Sequence, residues 1–521
     1  MTTSPPTQDV VTRVPPVPPR RDALRLDARL GAWLGVVVVT AASRLATAIG
    51  YIEDPDSLRF ALSVADTYSI AALQPHVPGY PVFWAVADPL HLATGSLAVS
   101  FALVGVIATV GLVAAGLLVL RAPLASVRGA MWAGAVLVCP LVWLMATRYM
   151  PDLLGLAVAL GTCAAALRAM ESGRPRDAAL AGALAGLLAG LRLSYVPFVV
   201  LPLLGVLLGY RVHNAGYDAR YGSSRTSRRR VAVTLVVTGF LAVTAWLVPL
   251  ILDTGWADLL AATERQTTGH FTDFGGTIQT EEAHLGARIE WTVRSVWADG
   301  LGGWVPGRHP LTALAGLALV LGVLAGTREA AWLVRLRAKA RRTATWLLAS
   351  AAMYAVWIVL FQNVIHKSRH AMPLIALALL VLALGAARVW DTGGRWRGAA
   401  RSAVIAGFGA VTVVASTLAV QHRQPSAIAQ VTAHVREITE ADPDVRIVTT
   451  PLVWYTLEQQ GIRAPFVDAT APDALTRAPE ADALAIGARI SGREAARADT
   501  FYHNPYVNRM WAAIPVYRYA P

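Results

Sequence analysis

Charge is scarce in this sequence. Only 15% of its 521 residues are Asp, Glu, Lys or Arg, and 55% are hydrophobic. A soluble chain carries about a quarter charged residues, so a soluble globular protein is excluded. Cysteine is scarcer still. Cys139 and Cys163 are the two present, both inside apolar runs, which argues against a disulfide framework and a zinc cluster. No cleavable signal peptide opens the chain, because the Pro-rich, basic "TTSPPTQDVVTRVPPVPPRRDALRLDAR" lacks a small-residue cleavage site after its first apolar run. A phosphate-binding Gly loop is missing too, as are the internal repeat and paired broken helices of a repeat-built transporter. The net charge of +13 does not point to nucleic acid, because the arginines sit in short loops between apolar runs, where they orient a membrane protein.

What is there is a series of apolar runs of roughly 17–25 residues, the length of a membrane span. They fall at 31–49, 95–120, 129–147, 152–169, 178–193, 195–210, 231–252, 311–326, 344–362, 371–388 and 402–420. The stretch 178–210 is short for two crossings: as helix it reaches about 50 Å, where two crossings need roughly 60 Å. Arg-rich flanks on both sides still favour two short helices, broken near "LRLSYVP" at Pro197. The expectation is a polytopic α-helical membrane protein of about eleven spans. Its arginine-rich loops place the N-terminus in the cytoplasm and the C-terminus outside.

Four segments lie outside the spans. Residues 1–29 read as a disordered cytoplasmic tail. In the first outer loop, 50–94, "SLRFALSVADTYSIAAL" and "GYPVFWAVADPLHL" read as helices lying in the membrane interface. The large outer loop, 253–310, is polar and Gly-rich. Residues 421–521 hold no span; "VRIVTT" and "AIPVYRYA" read as strands and "PLVWYTLEQQ" as a helix, giving a small extracytoplasmic α/β domain. The transmembrane domain is thus 30–420.

Directly after the first run comes "EDPDS", with Glu53, Asp54 and Asp56. A carboxylate held at the membrane edge loses hydration and gains basicity, so it can take a proton from an acceptor hydroxyl. Asp54 and Asp56 also suit a divalent cation such as Mg or Mn. The plainer reading is a solvated loop with Asp56-Ser57 capping the next helix. In "QPHVPGYP" (74–81) three prolines impose a stiff path, and His76 is either a phosphate or proton contact or an exposed residue on a rigid connector. Arg148 and Asp152 of "TRYMPD" and Arg192 of "LRLSY" lie at outer span ends. "NVIHKSRHAMP" gathers His366, Lys367, Arg369 and His370 in one short outer loop. Cations there run against the orienting rule; they suit an anionic headgroup or snorkel toward it. Arg44, inside the first span, either snorkels or neutralises the carboxylates. His270, Asp273, Glu281, Glu282 and His284 match no strong zinc pattern.

The order of these parts resembles the GT-C superfamily of integral-membrane glycosyltransferases, including protein O-mannosyltransferase-like and aminoarabinose-transferase-like enzymes. The resemblance rests on "EDPDS" (53–57), "HVPGYPVF" (76–83), "RYMPDLLGLA" (148–157), "AGLLAGLRLSYVPF" (185–198), "KSRHAMPL" (367–374) and the closing "FYHNPYVNRMWAAIPVYRY" (501–519). It implies transfer of a sugar from a polyprenyl-phosphate donor to a hydroxyl of a glycan, lipid or protein, on the outer face of a bacterial inner membrane. It implies a general base at Asp54 or Asp56, with Glu53 also open because "EDPDS" departs from the Asp-Glu common in the family. Arg369 is implied as a contact of the donor phosphate, and Asp152 as the second acidic position. No cofactor is required on this reading, and a metal stays open. The alternatives are a secondary transporter of an anionic solute and a non-catalytic envelope assembly protein. Transport would call for ionisable residues deep in several spans, whereas here they gather at span ends.

Overall fold

A computed structural model describes residues 21–209, 225–273, 276–280, 284–471 and 482–520. The described chain is mostly helical. The helices are α1 Arg21–Ala46, α2 Pro55–Ala65, α3 Pro81–Thr94, α4 Leu97–Leu120, α5 Val127–Val138, α6 Pro140–Met145, α7 Asp152–Ser172, α8 Pro175–Leu191 and α9 Val196–Leu207. Next come α10 Arg225–Thr254, α11 Trp256–Thr268, α12 Leu285–Arg294, α13 Thr312–Leu336, α14 Ala338–Phe361, α15 Met372–Trp390, α16 Arg397–His422, α17 Ala427–Ala441 and α18 Pro451–Gln459.

Among the described residues, eight helices are long and apolar enough to cross a membrane. The remaining three expected runs fall on α5 with α6, on α8 and on α9. Each is short for a reason visible in the sequence. Cys139 takes an extended conformation before Pro140, which ends α5. Arg192 leaves helical geometry after α8, and a 3-10 turn at Leu193–Tyr195 leads into α9 with Pro197 in its first turn. The break near "LRLSYVP" is therefore present.

Other expectations shift. Helix α1 begins at Arg21, inside the segment expected as tail; residues 1–20 of that tail lie outside the described residues. The first interfacial helix stops at Ala65 rather than reaching Leu73, and the chain turns back through an isolated bridge between Ser69 and Gln74. The cap of α2 is Asp54, not Asp56. The loop 253–310 contains α11 and α12.

Small residues hold the bundle close. On α8, a Cβ added to Gly182 would sit 2.2 Å from the Leu235 carbonyl oxygen of α10, and one on Gly186 2.6 Å from that of Gly239. Backbone contact of this kind is how helices associate without a hydrophobic driving force. Helices α2 and α3 are pinned by aromatic rings. Phe60 meets Tyr80 and Phe83 edge-on at 4.9 and 5.5 Å, and Phe101 stacks on Tyr149 at 4.5 Å. These contacts fix α2 and α3 against α4 and the start of α7.

The C-terminal domain is a five-stranded sheet of β1 Arg446–Thr449, β2 Phe466–Asp468, β3 Ala483–Ile486, β4 Arg497–Tyr502 and β5 Ala513–Tyr519, in the order β2-β1-β3-β5-β4. Strand β1 pairs parallel with β2 and β3, whereas β5 is antiparallel to β3 and β4. Helix α17 buries Ile428, Val431 and Val435 against Ile447, Leu484 and Val516. The two strands and the helix read from the sequence of this domain are all present.

Candidate active site

Asp54 is placed by a capping box. Its Oδ1 accepts from the Ser57 amide at 2.8 Å, and the Ser57 hydroxyl oxygen accepts from the Asp54 amide at 2.9 Å. That leaves Oδ2 for Arg369, whose Nη1 lies 3.1 Å away. Asp56, in the first turn of α2, receives Lys367 Nζ at 2.7 Å and also Nη2 of Arg369 on its Oδ2. Arg59, one turn on, stands 3.8 Å from the other oxygen. Asp152 opens α7 and is fully buried. It pairs with Arg192 at 3.0 Å and lies 3.8 Å from Arg369 Nε, with the Tyr195 hydroxyl donating to it at 3.4 Å.

Four cations thus face three carboxylates: Arg59, Arg192, Lys367 and Arg369 against Asp54, Asp56 and Asp152. Burial alone would raise the Asp56 carboxyl, but Lys367 and Arg369 outweigh it and hold it well below the usual range. The gain in basicity expected from lost hydration is therefore reversed in this state. Burial pushes His76 down to about 3, so it is a neutral ring. Its Nε2 lies 3.1 Å from the Tyr80 hydroxyl, which also accepts from Arg192 at 3.3 Å. Tyr80 is raised by burial and stays neutral. The loop bringing His76 here runs through two cis prolyl bonds, Gln74-Pro75 and Val77-Pro78, and a positive φ at Gly79. Five polar atoms of the cluster, Asp152 Oδ2, Arg59 Nε, Arg192 Nε, Arg369 Nε and His76 Nδ1, are buried with no hydrogen-bond partner.

Glu53 belongs to a different arrangement. It is 1% exposed and turned away from Asp56. Arg148 pairs with its Oε1 at 2.6 Å, and His422 Nε2 lies 3.1 Å from its Oε2. Burial would raise Glu53, but Arg148 and His422 prevail and bring it down to about 2. Arg148 also donates to the carbonyl of Val507 in the C-terminal domain. The structure therefore separates the sequence candidates. Asp54, Asp56, Asp152, Arg192, Lys367, Arg369 and His76 converge; Glu53 and Arg148 form a neighbouring pair; His366 is exposed on the loop leading to Lys367. Arg44 packs over the Trp143 ring and donates to the Leu137 carbonyl, apart from the carboxylates.

Tyr80, Tyr195 and Arg59 join the cluster without having been singled out in the sequence. Arg59 had one available signal, its i,i+3 spacing from Asp56. The tyrosines lie inside quoted motifs, Tyr80 in "QPHVPGYP" with His76 and Tyr195 in "LRLSY" with Arg192, but the expectations there rested on the titratable neighbours.

Among the described residues no group of three His, Cys, Asp or Glu is arranged for a metal ion. The Oδ2 atoms of Asp54 and Asp56 both engage Arg369, so a divalent cation there would have to displace a guanidinium. His270 is bonded to the Phe361 carbonyl at 2.8 Å. Glu281, Glu282 and the Asp273 side chain lie outside the described residues.

The structure also holds an apolar groove of about 900 Å³. Ile289, Val293, Val320, Leu324, Val356 and Leu360 line it, and it extends to Leu374 in the first turn of α15. The loop between Leu360 and Leu374 is the one that carries Lys367 and Arg369. The chemistry available in the cluster is an anion held by cations, with a carboxylate within reach of it.

No protein-family model matches the chain, and no curated protein matches it. Solved structures do. ArnT from Cupriavidus metallidurans, bound to undecaprenyl phosphate, matches over 96% of this chain and 98% of its own, with 10% identity and a TM-score of 0.52. The apo oligosaccharyltransferase of Archaeoglobus fulgidus matches over 84% of this chain with 13% identity and a TM-score of 0.49. The chain spans 64% of that protein's length. At these identities the likeness is one of fold, and the fold is of the GT-C type expected from the sequence.

Proposed function

We propose that this protein is a glycosyltransferase that moves a sugar from a polyprenyl-phosphate carrier to an acceptor hydroxyl, outside a bacterial inner membrane. The single observation that carries the reading is the Lys367–Arg369 pair, with Asp56 bonded to both cations, on the loop that joins Leu360 to Leu374 of the apolar groove. The groove takes the polyprenyl tail and the pair takes the phosphate. A phosphodiester brings one negative charge, which matches the surplus of one cation in the cluster. The unpartnered Nε atoms of Arg192 and Arg369 support a ligand there.

The reaction runs in one displacement. When the phosphate takes Lys367 and Arg369, Asp56 is relieved of the charges that depress it and its basicity rises. It then accepts the acceptor's hydroxyl proton. The acceptor oxygen attacks the anomeric carbon as the bond from that carbon to the phosphate oxygen breaks. The phosphate leaves with the bonding electron pair, and the two cations stabilise its growing charge. A single displacement inverts the anomeric centre. Asp54 orients Arg369, and Asp152 with Arg192 backs it. Glu53 is structural.

The topology that goes with this reading has eleven spans, an internal N-terminus and the C-terminal domain outside. Its support is the placement of Arg121, Arg128 and Arg388 with Glu171 and Glu329 at the end of the bundle opposite the site. The test is turnover of purified protein on mixed polyprenyl-phosphate sugars, with Asp54→Asn and Asp56→Asn assayed singly. Transfer that depends on Asp56 supports the proposal. Full turnover in both variants removes both as bases.

A further inference from the structure

We infer that Asn508 and Arg509 of the C-terminal domain are positioning residues that tie the two charged walls of the site together. The walls come from opposite parts of the chain. One is the segment 53–56 after α1; the other is the loop 362–371 between α14 and α15. Between their charged groups, the contacts are the ion pairs of Asp54 and Asp56 with Lys367 and Arg369. Those are the contacts that an incoming phosphate displaces, so something else must hold the gap. This inference rests on the proposed reading of the site.

The loop between β4 and β5 supplies the tie. Asn508 is buried, and its Nδ2 donates to the Glu53 carbonyl at 2.9 Å. The next residue, Arg509, donates from Nη1 to the carbonyls of Val364 at 3.2 Å and Ile365 at 2.9 Å. Its guanidinium is itself fixed by the Ser295 hydroxyl at 3.3 Å, by an ion pair to Asp299 and by the Trp291 ring at 4.5 Å. Consecutive Cα atoms stand about 3.8 Å apart across a trans peptide. One peptide unit therefore joins the residue that grips one wall to the residue that grips the other, and their held side chains span the rest of the separation. Neither residue reaches the carboxylates or cations of the cluster. Their role is to keep those groups in register once the ion pairs have opened.

The test reads the gap directly. Cys139 and Cys163 are both buried, so spin labels can be confined to engineered cysteines at Gly50 and His366, which are both exposed. Undecaprenyl phosphate serves as the probe that opens the ion pairs. In the parent the label–label distance stays narrow with and without it. In Arg509→Ala it broadens when undecaprenyl phosphate is added, and kcat on a lipid-linked sugar falls about 100-fold, the scale of a 1 Å misplacement. Arg509→Lys keeps the charge but has one nitrogen where the guanidinium uses Nη1 for the two carbonyls and Nη2 for Ser295 and Asp299, and it broadens as well. Asn508→Asp, nearly isosteric, loses the donation to Glu53 and decides the matter if Arg509→Ala does not fold. Unchanged distances in the folded variants overturn the inference, even if turnover falls. If the distances broaden and the parent transfers no sugar, the tie stands and the transferase reading fails.

Discussion

Replacing Glu53 by glutamine separates the two halves of the acidic segment. The carboxyl is 1% exposed and held at about 2 instead of 4.5. A group whose folded value is depressed contributes stability above its unfolded value and loses it as the pH falls toward the folded one. The difference corresponds to about 3 kcal/mol at pH 7, shrinking to about 1 kcal/mol at pH 3. Glutamine cannot titrate, and it leaves Arg148 buried with the Val507 carbonyl but no counter-charge, a loss that matches in scale the roughly 3–5 kcal/mol cost of breaking a buried pair. Thermal unfolding in detergent, followed for parent and Glu53→Gln from pH 7 to pH 3, should show a gap that narrows toward acid. Below its own melting range the variant should keep its turnover. A gap independent of pH would refute the electrostatic argument. A variant as stable as the parent but inactive would make Glu53, not Asp56, the base.

Asp56→Asn should lower kcat by about 10²–10⁴-fold with no loss of folded protein by size-exclusion chromatography. Retained turnover would discard the base assignment. Because the resting site depresses Asp56 and a bound phosphate relieves it, the acid limb of kcat should lie at higher pH than that of kcat/KM; coincident limbs would contradict the exchange of partners. Arg369→Lys removes the fork that spans Asp54 and Asp56 and should raise the donor KM about tenfold or more, measured against donor concentration in mixed micelles. Gly79 has φ +84°, and a Cβ there would lie 2.7 Å from Ile70 Cδ1 and 2.8 Å from the Tyr68 hydroxyl. Gly79→Ala should therefore destabilise by roughly 1–3 kcal/mol, and an unchanged melting temperature would refute the steric argument.

The helices were legible because a span needs a long apolar run, and composition alone reveals one. The break at Pro197 was read in advance, whereas the one at Pro140 falls inside 129–147, which was read as a single span. The site was legible as a set of loops but not as a set of roles. Glu53, Asp54 and Asp56 are equivalent in the sequence, since nothing local tells which way a side chain turns. What separates them is distant: Arg148 and His422 claim Glu53, and Arg369 claims Asp54 and Asp56. The cap was assigned to Asp56, although Pro55 in the first helical position marks Asp54 as the N-cap. Asn508 and Arg509 lay inside a motif already noted, yet their targets are backbone carbonyls, which leave no trace in a side-chain pattern.

The surplus of positive charge in the cluster has a consequence for the end of the cycle. On the proposed chemistry the arriving lipid carries one negative charge, while the discharged lipid is a monoester with about 1.5 to 2. The same ammonium and guanidinium groups therefore grip the spent molecule harder than the fresh one. Departure, rather than bond breaking, becomes the slow event, and free undecaprenyl phosphate becomes a strong competitor of its own sugar-loaded form.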